Sequence, residues 1–181
     1  MKKLIVKTTL ATLLTILSLF LIVVGTLSLT MPHVMEKLAG NLGLKQTEAS
    51  YALQVYKKDK KIESLSIAVQ KNYNAKLYNN SATYGLLLIE DENFDSYCQT
   101  QSNIANTSYS TKVYLQAITA ESYFYINDKE KALQIAQSSG DIQVVDWLLQ
   151  LPNIKEDTDF KSQLEGLKQP TNTQMEKKKE G

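Results

Sequence analysis

The chain has 181 residues and a formal net charge of +1, enough length for one membrane anchor plus one ordinary domain. All twenty basic residues are Lys, and near-neutral charge without Arg argues against nucleic-acid recognition through a basic surface or bidentate base contacts. One Cys (Cys98) and one His (His33) exclude an internal disulfide, a two-histidine metal site and a zinc cluster. The use of Lys throughout fits AT-rich bacterial coding.

At the N-terminus, Lys2, Lys3 and Lys7 precede an uncharged run from Thr8 to Met31. A helix of that length, at about 1.5 Å per residue, crosses a hydrocarbon core of roughly 30 Å. The rival is a cleaved signal peptide, but the run is longer than such apolar regions and no A-x-A site follows it. Residues 1–32 are therefore expected to be a single-pass signal anchor in the cell membrane. The Lys flank places the N-terminus in the cytoplasm and the remainder outside, although Lys57, Lys58, Lys60 and Lys61 weaken the asymmetry.

Pro32 is expected to end or kink the anchor helix, and residues 33–45 to form a juxtamembrane linker with Gly40 and Gly43 at a break. From 46 to 168 the periodicity is helical. Ile62, Leu65 and Val69 share a face; so do Ala117, Ala120 and Phe124, and Ile142, Val145 and Leu149. Asp141 suits a helix N-cap, Gly140 a terminator and Pro152 a stop. No alternating β-branched run suggests a sheet, so the fold class is all-α. Residues 169–181, with Pro, Thr, Asn and a Lys run, are expected to be disordered.

Three helical hairpins superimpose at Ala52, Gly85 and Ala120, followed by Val55, Leu88 and Tyr123 and by the turn residues Asp59, Glu92 and Asn127. Ser64, Tyr97 and Ala132, then Ala68, Gln101 and Ala136, occupy the second helices. This pattern resembles the tetratricopeptide repeat family over about 46–140, most closely in the third copy. Tyr97, Gln101 and Ala136 depart from it. Residues Ala132–Ala136 and Gly140–Leu149 also look like one ankyrin repeat, and chance spacing of ordinary amphipathic helices is the remaining alternative. The tetratricopeptide resemblance implies a scaffold whose first helices line a concave surface. Carried over, that face comprises Leu53, Tyr56 and Lys57, then Leu86, Ile89 and Glu90, then Tyr114, Glu121, Phe124 and Tyr125. The resemblance implies a protein or peptide partner of unspecified identity.

Candidate chemistry is sparse. Glu90, Asp91, Glu92 and Asp95 offer oxygen ligands but lack the spaced loop of a Ca²⁺ site. Glu156, Asp157 and Asp159 suit helix capping better than acid–base catalysis. Cys98 lacks a flanking cation and is expected to be semi-buried. Trp147 is expected in the core with Val144, Leu148 and Leu151, and His33 at the membrane interface. Lys177, Lys178 and Lys179 offer contact to anionic polymer or lipid, diluted by Glu176 and Glu180. The expectation is a non-enzymatic, membrane-anchored scaffold with no cofactor, metal or nucleic acid. The alternatives are a ligand-binding domain or enzyme built from dispersed polar residues, and a structural spacer.

Overall fold

A computed structural model describes residues 2–101 and 108–168, with side chains from Lys7 onward. The expected disordered tail with Lys177–Lys179, and the side chains of Lys2 and Lys3, lie outside the described residues. Among the described residues the fold is entirely helical, without strands. The elements are α1 (Lys2–Thr30), α2 (Pro32–Asn41), α3 (Lys45–Asp59), α4 (Ile62–Asn74), α5 (Tyr78–Ile89) and α6 (Phe94–Thr100). They continue as α7 (Thr111–Tyr125), α8 (Lys129–Ser139), α9 (Ile142–Gln150), α10 (Pro152–Glu156) and α11 (Thr158–Leu167).

The segment Lys7–Thr30 of α1 is long and apolar enough to cross a membrane, and none of it is buried against protein. Its 24 residues span about 36 Å at about 1.5 Å per residue. Thr12, Thr15, Ser18 and Thr26 return their hydroxyls to the carbonyl four residues back, so these polar side chains are satisfied within the helix. Met31 leaves helical geometry and Pro32 opens α2 at a position where its missing N–H costs nothing. The stretch expected as a linker thus forms α2, which buries Pro32, Met35 and Ala39 against α3.

Beyond α1 the helices pack in succession, α2 on α3, α3 on α4, α4 on α5, α5 on α7 and α7 on α8. Three of the connections have the same turn. In each, a helix ends on a residue with positive φ: Gly43 (69°), Lys76 (59°) and Asn127 (65°). The amide of that residue bonds the carbonyl three back, and the next amide the carbonyl five back. This is the Schellman pattern, which satisfies the last carbonyls of the helix. Nine residues after each positive-φ position stands a small buried residue: Ala52, Gly85 and Ala136. The sequence frame groups Ala52 and Gly85 with Ala120 instead. The two frames differ because α6 and the segment after it intervene before α7.

Small side chains set the closeness of the α5–α7 contact. A Cβ on Gly85 would lie 2.3 Å from Thr119 Oγ1 and 2.7 Å from its Cγ2. Nearby, Ser122 Oγ donates to the carbonyl of Ile118 at 2.7 Å and lies 2.9 Å from Ser81 Oγ. Two larger apolar clusters flank this seam. One joins Leu65, Val69, Leu88, Phe94, Tyr97, Tyr114, Leu115 and Ile118. The other joins residues of α7–α11, among them Val113, Ile135, Val144, Leu148, Ile154, Phe160 and Leu164. Ile89 and Trp147 pack against both. α7 is the central element: all ten residues from Val113 to Ser122 are buried.

The C-terminal helices are closed by side-chain caps. Asp128, Asp141 and Asp157 accept the backbone N–H of Lys131, Gln143 and Phe160 at the starts of α8, α9 and α11. Gly140 ends α8 at φ 64°. Pro152 ends α9 as expected, and also serves as the first residue of α10.

Candidate functional site

The polar feature at the centre of the domain is Glu121 on α7. Its position after Ala117 and Ala120 turns it toward α4 and α9, and the residue is only 3% exposed. Tyr73 of α4 donates its hydroxyl to Glu121 Oε2 at 2.7 Å. Trp147 of α9 donates its indole N–H to the same oxygen at 2.8 Å. Burial raises the Glu121 carboxyl above its ordinary range, while the Trp147 and Tyr73 bonds pull partly the other way. The Tyr73 phenol is raised by burial, by the neighbouring Glu121 charge and by donating to it, so it stays neutral at physiological pH.

From Tyr73 an aromatic chain runs to the surface. The Tyr73 and Tyr78 rings meet edge to face at 6.2 Å, and Tyr78 stacks on Tyr125 at 4.4 Å with 21° between planes. Tyr78 and Tyr125 form part of an open cleft of about 540 Å³, lined also by Lys76, Leu77, Asn79, Asn80 and Ile126. The Schellman turn at Lys76 positions one wall and the end of α7 the other. Asn80 Nδ2 donates to Asn72 Oδ1, and Asn72 Nδ2 to the Ala68 carbonyl, which ties the cleft floor to α4. Burial raises both phenols, Tyr78 and Tyr125, so the stacked pair is neutral and hydrogen-bonding rather than nucleophilic.

The ten residues expected to line one open groove do not share an accessible face. Leu53, Tyr114 and Glu121 are buried; Tyr56, Leu86, Ile89, Phe124 and Tyr125 are half-buried; Lys57 and Glu90 are exposed. The expectation of an open groove fails at Leu53, Tyr114 and Glu121 because neighbouring elements cover them. Leu53 packs with Ala52, Ala68, Tyr56 and Tyr84. α9 covers the α7 face, with Trp147 against Tyr114 at 5.9 Å and on Glu121. Phe160 of α11 packs on Phe124 at 5.1 Å. Of the ten, Tyr125 reaches the cleft. Trp147 is half-buried rather than enclosed, with Val144 and Leu148 in the cluster it packs against and Leu151 packed on that same cluster. Its role as donor to Glu121 was not visible in the sequence, where the partners stand 26 residues apart without a shared pattern.

The remaining candidates resolve into local structure. Asp91 accepts from the backbone and side chain of Asn93, and Asp95 pairs with Lys112 at 2.8 Å. Asp157 pairs with Lys129, and that hydrogen bond together with the Phe160 N–H lowers its pKa. Among the described residues no group of three His, Cys, Asp or Glu side chains converges as metal ligands. Burial and the nearby Asp95 raise the Cys98 thiol to about 11, so it is protonated near neutrality and a poor nucleophile.

The chain matches no family model, no curated protein and no solved structure.

Proposed function

We propose that this chain is a membrane-anchored, non-enzymatic interaction protein whose helical domain holds a protein or peptide segment at the cleft between the α4–α5 turn and the end of α7. In this reading α1 spans the cell membrane as an uncleaved anchor, with the N-terminus cytoplasmic and the domain outside. The tetratricopeptide-like helix pairs support the scaffold class. The observation that carries the proposal is the cleft itself: a stacked Tyr78–Tyr125 pair beside Asn79, Asn80 and Lys76, with an apolar edge at Leu77 and Ile126. Aromatic rings with adjacent amide donors and acceptors suit a peptide, whose backbone needs both stacking area and hydrogen bonds.

The test is site-specific photocrosslinking in native membranes, with the probe at Tyr125 and a control probe at Asp159. A discrete adduct from position 125 that is absent from position 159 and lost with Tyr78→Ala supports the cleft. Equal labelling from both positions, or an adduct indifferent to Tyr78→Ala, overturns it. Protease treatment of intact cells checks the topology. A C-terminal tag cleaved without lysis supports the outer placement, and a protected tag reverses it.

A further inference from the structure

α2 continues from α1 after the single residue Met31, and its apolar surface is only half covered. Pro32, Met35 and Ala39 face α3. Val34 and Leu38, with the flanking Met31 and Leu42, are exposed by 40–64%. At about 100° per residue these four fall within an arc of about 80°, adjoining the buried arc. Asn41 and Lys37 border the stripe on its other edge, and exposed His33 lies about 140° from its centre.

The α2–α3 hairpin is also fixed against the end of α1. Ser28 Oγ and Tyr51 Oη share a hydrogen bond at 2.7 Å, and Lys58 Nζ donates to the Thr30 carbonyl at 2.8 Å. These two bonds hold the α2–α3 hairpin at the C-terminal end of α1, and α3 does not pack along it. A span set upright in a bilayer therefore holds α2, one residue beyond it, at the surface where α1 emerges. Exposed Lys37, Lys45 and Lys57 surround this end with positive charge.

We infer that the Met31–Val34–Leu38–Leu42 stripe of α2 rests in the headgroup–acyl boundary of the same bilayer that α1 crosses. This inference rests on the membrane-anchor reading of α1. Continuity with the apolar surface of α1 and the lysines, which complement anionic headgroups, select lipid as the occupant. Lipid contact along α2 would hold the domain at a set height and tilt instead of leaving it free on a tether.

The experiment uses the full chain carrying Cys98→Ser, reconstituted in phosphatidylcholine–phosphatidylglycerol vesicles. A spin label is placed in turn at Phe20→Cys, Leu38→Cys and His33→Cys. Collision with oxygen, which partitions into lipid, is compared with collision with a water-soluble nickel chelate. The expected oxygen-to-nickel ratio is several-fold higher at 20 and 38 than at 33. A water-like ratio at 38 with a lipid-like ratio at 20 overturns this inference and leaves the anchor standing. A water-like ratio at 20 overturns the anchor reading and this inference with it. Shielding of position 38 from both reagents also overturns it; spin–spin broadening that fades on dilution with unlabelled chain would then identify a second copy as the occupant.

Discussion

α1 and α7 invert the usual relation between apolarity and burial. α1 is the more apolar helix, and its large side chains are exposed: Leu13, Ile16, Leu19, Phe20, Leu21 and Ile22 by 58–64%. α7 carries Gln116, Thr119, Glu121 and Ser122, yet it is buried from Val113 to Ser122. Position in the packing decides burial. α7 is enclosed by α4, α5, α6, α8 and α9, whereas α1 touches the domain only near its end. Polar residues on α7 are tolerated where each finds a partner: Thr119 the Leu115 carbonyl, Ser122 the Ile118 carbonyl, Glu121 two donors. Gln116 Oε1 and Thr111 Oγ1 are the exceptions among the described buried side chains.

The sharpest way to break this contrast is the same truncation in both helices. Ile118→Ala should cost about 2–5 kcal/mol in denaturant unfolding of the domain, the range for a buried aliphatic side chain. Leu17→Ala should change it by less than about 0.5 kcal/mol, as surface changes do. A comparable loss from Leu17→Ala would show that α1 packs on the domain. The converse uses Leu17→Lys with Leu21→Lys, each about 2.5–3.5 kcal/mol unfavourable at the centre of a span. The double variant should leave carbonate-washed membranes while its domain melts normally.

Next in size is Trp147→Phe. It keeps most of the ring but removes the donor to Glu121, and the loss should be about 1.5–3 kcal/mol, the scale of a hydrogen bond to a charged group. The same change in a Glu121→Gln background should cost less. Equal costs in the two backgrounds would mean that the hydrogen bond contributes little.

Gly85→Ala sharpens the comparison at the α5–α7 seam. Overpacking costs about 1–3 kcal/mol, and the better helix propensity of Ala returns up to about 1 kcal/mol. A net loss of roughly 1–2 kcal/mol is expected from those two effects, partly restored by Thr119→Ala. A neutral Gly85→Ala would show that the two helices are free to separate.

The smallest effect is a change of slope. The folded-state pKa of Glu121 is raised by burial, so its contribution is fully present below the unfolded carboxyl pKa and is lost as pH rises through the folded value. Glu121→Gln should therefore gain stability relative to the parent between about pH 4 and neutrality, the unfolded Glu value being about 4.3. Parallel stability–pH curves for the two proteins would contradict that.

How much was legible in the sequence follows the same division. The all-helical class and the apolar N-terminal helix were readable because both rest on local periodicity and length. Asp141, Gly140 and Pro152 were readable as boundary signals because each acts on its own backbone. The positive-φ turns at Lys60 and Lys76 were not, since Lys carries no signal for a left-handed position. Nor was the closure over α7, because the helical period of α7 marks which residues share a face but not how many neighbours surround it. The first-helix groove was drawn from one helix of each hairpin alone. In the fold, α9 and α11 cover much of the α7 portion, and the residues that remain accessible sit at turns.

The partners of Glu121 also give the domain a direction of assembly. During synthesis Tyr73 precedes Glu121 by 48 residues, while Trp147 follows it by 26. Until α9 has been made, Glu121 lacks its Trp147 donor and Tyr114 lacks its cover. A chain interrupted within α8 would leave Glu121 without the Trp147 donor and Tyr114 uncovered, and should be cut by proteases faster than the finished domain.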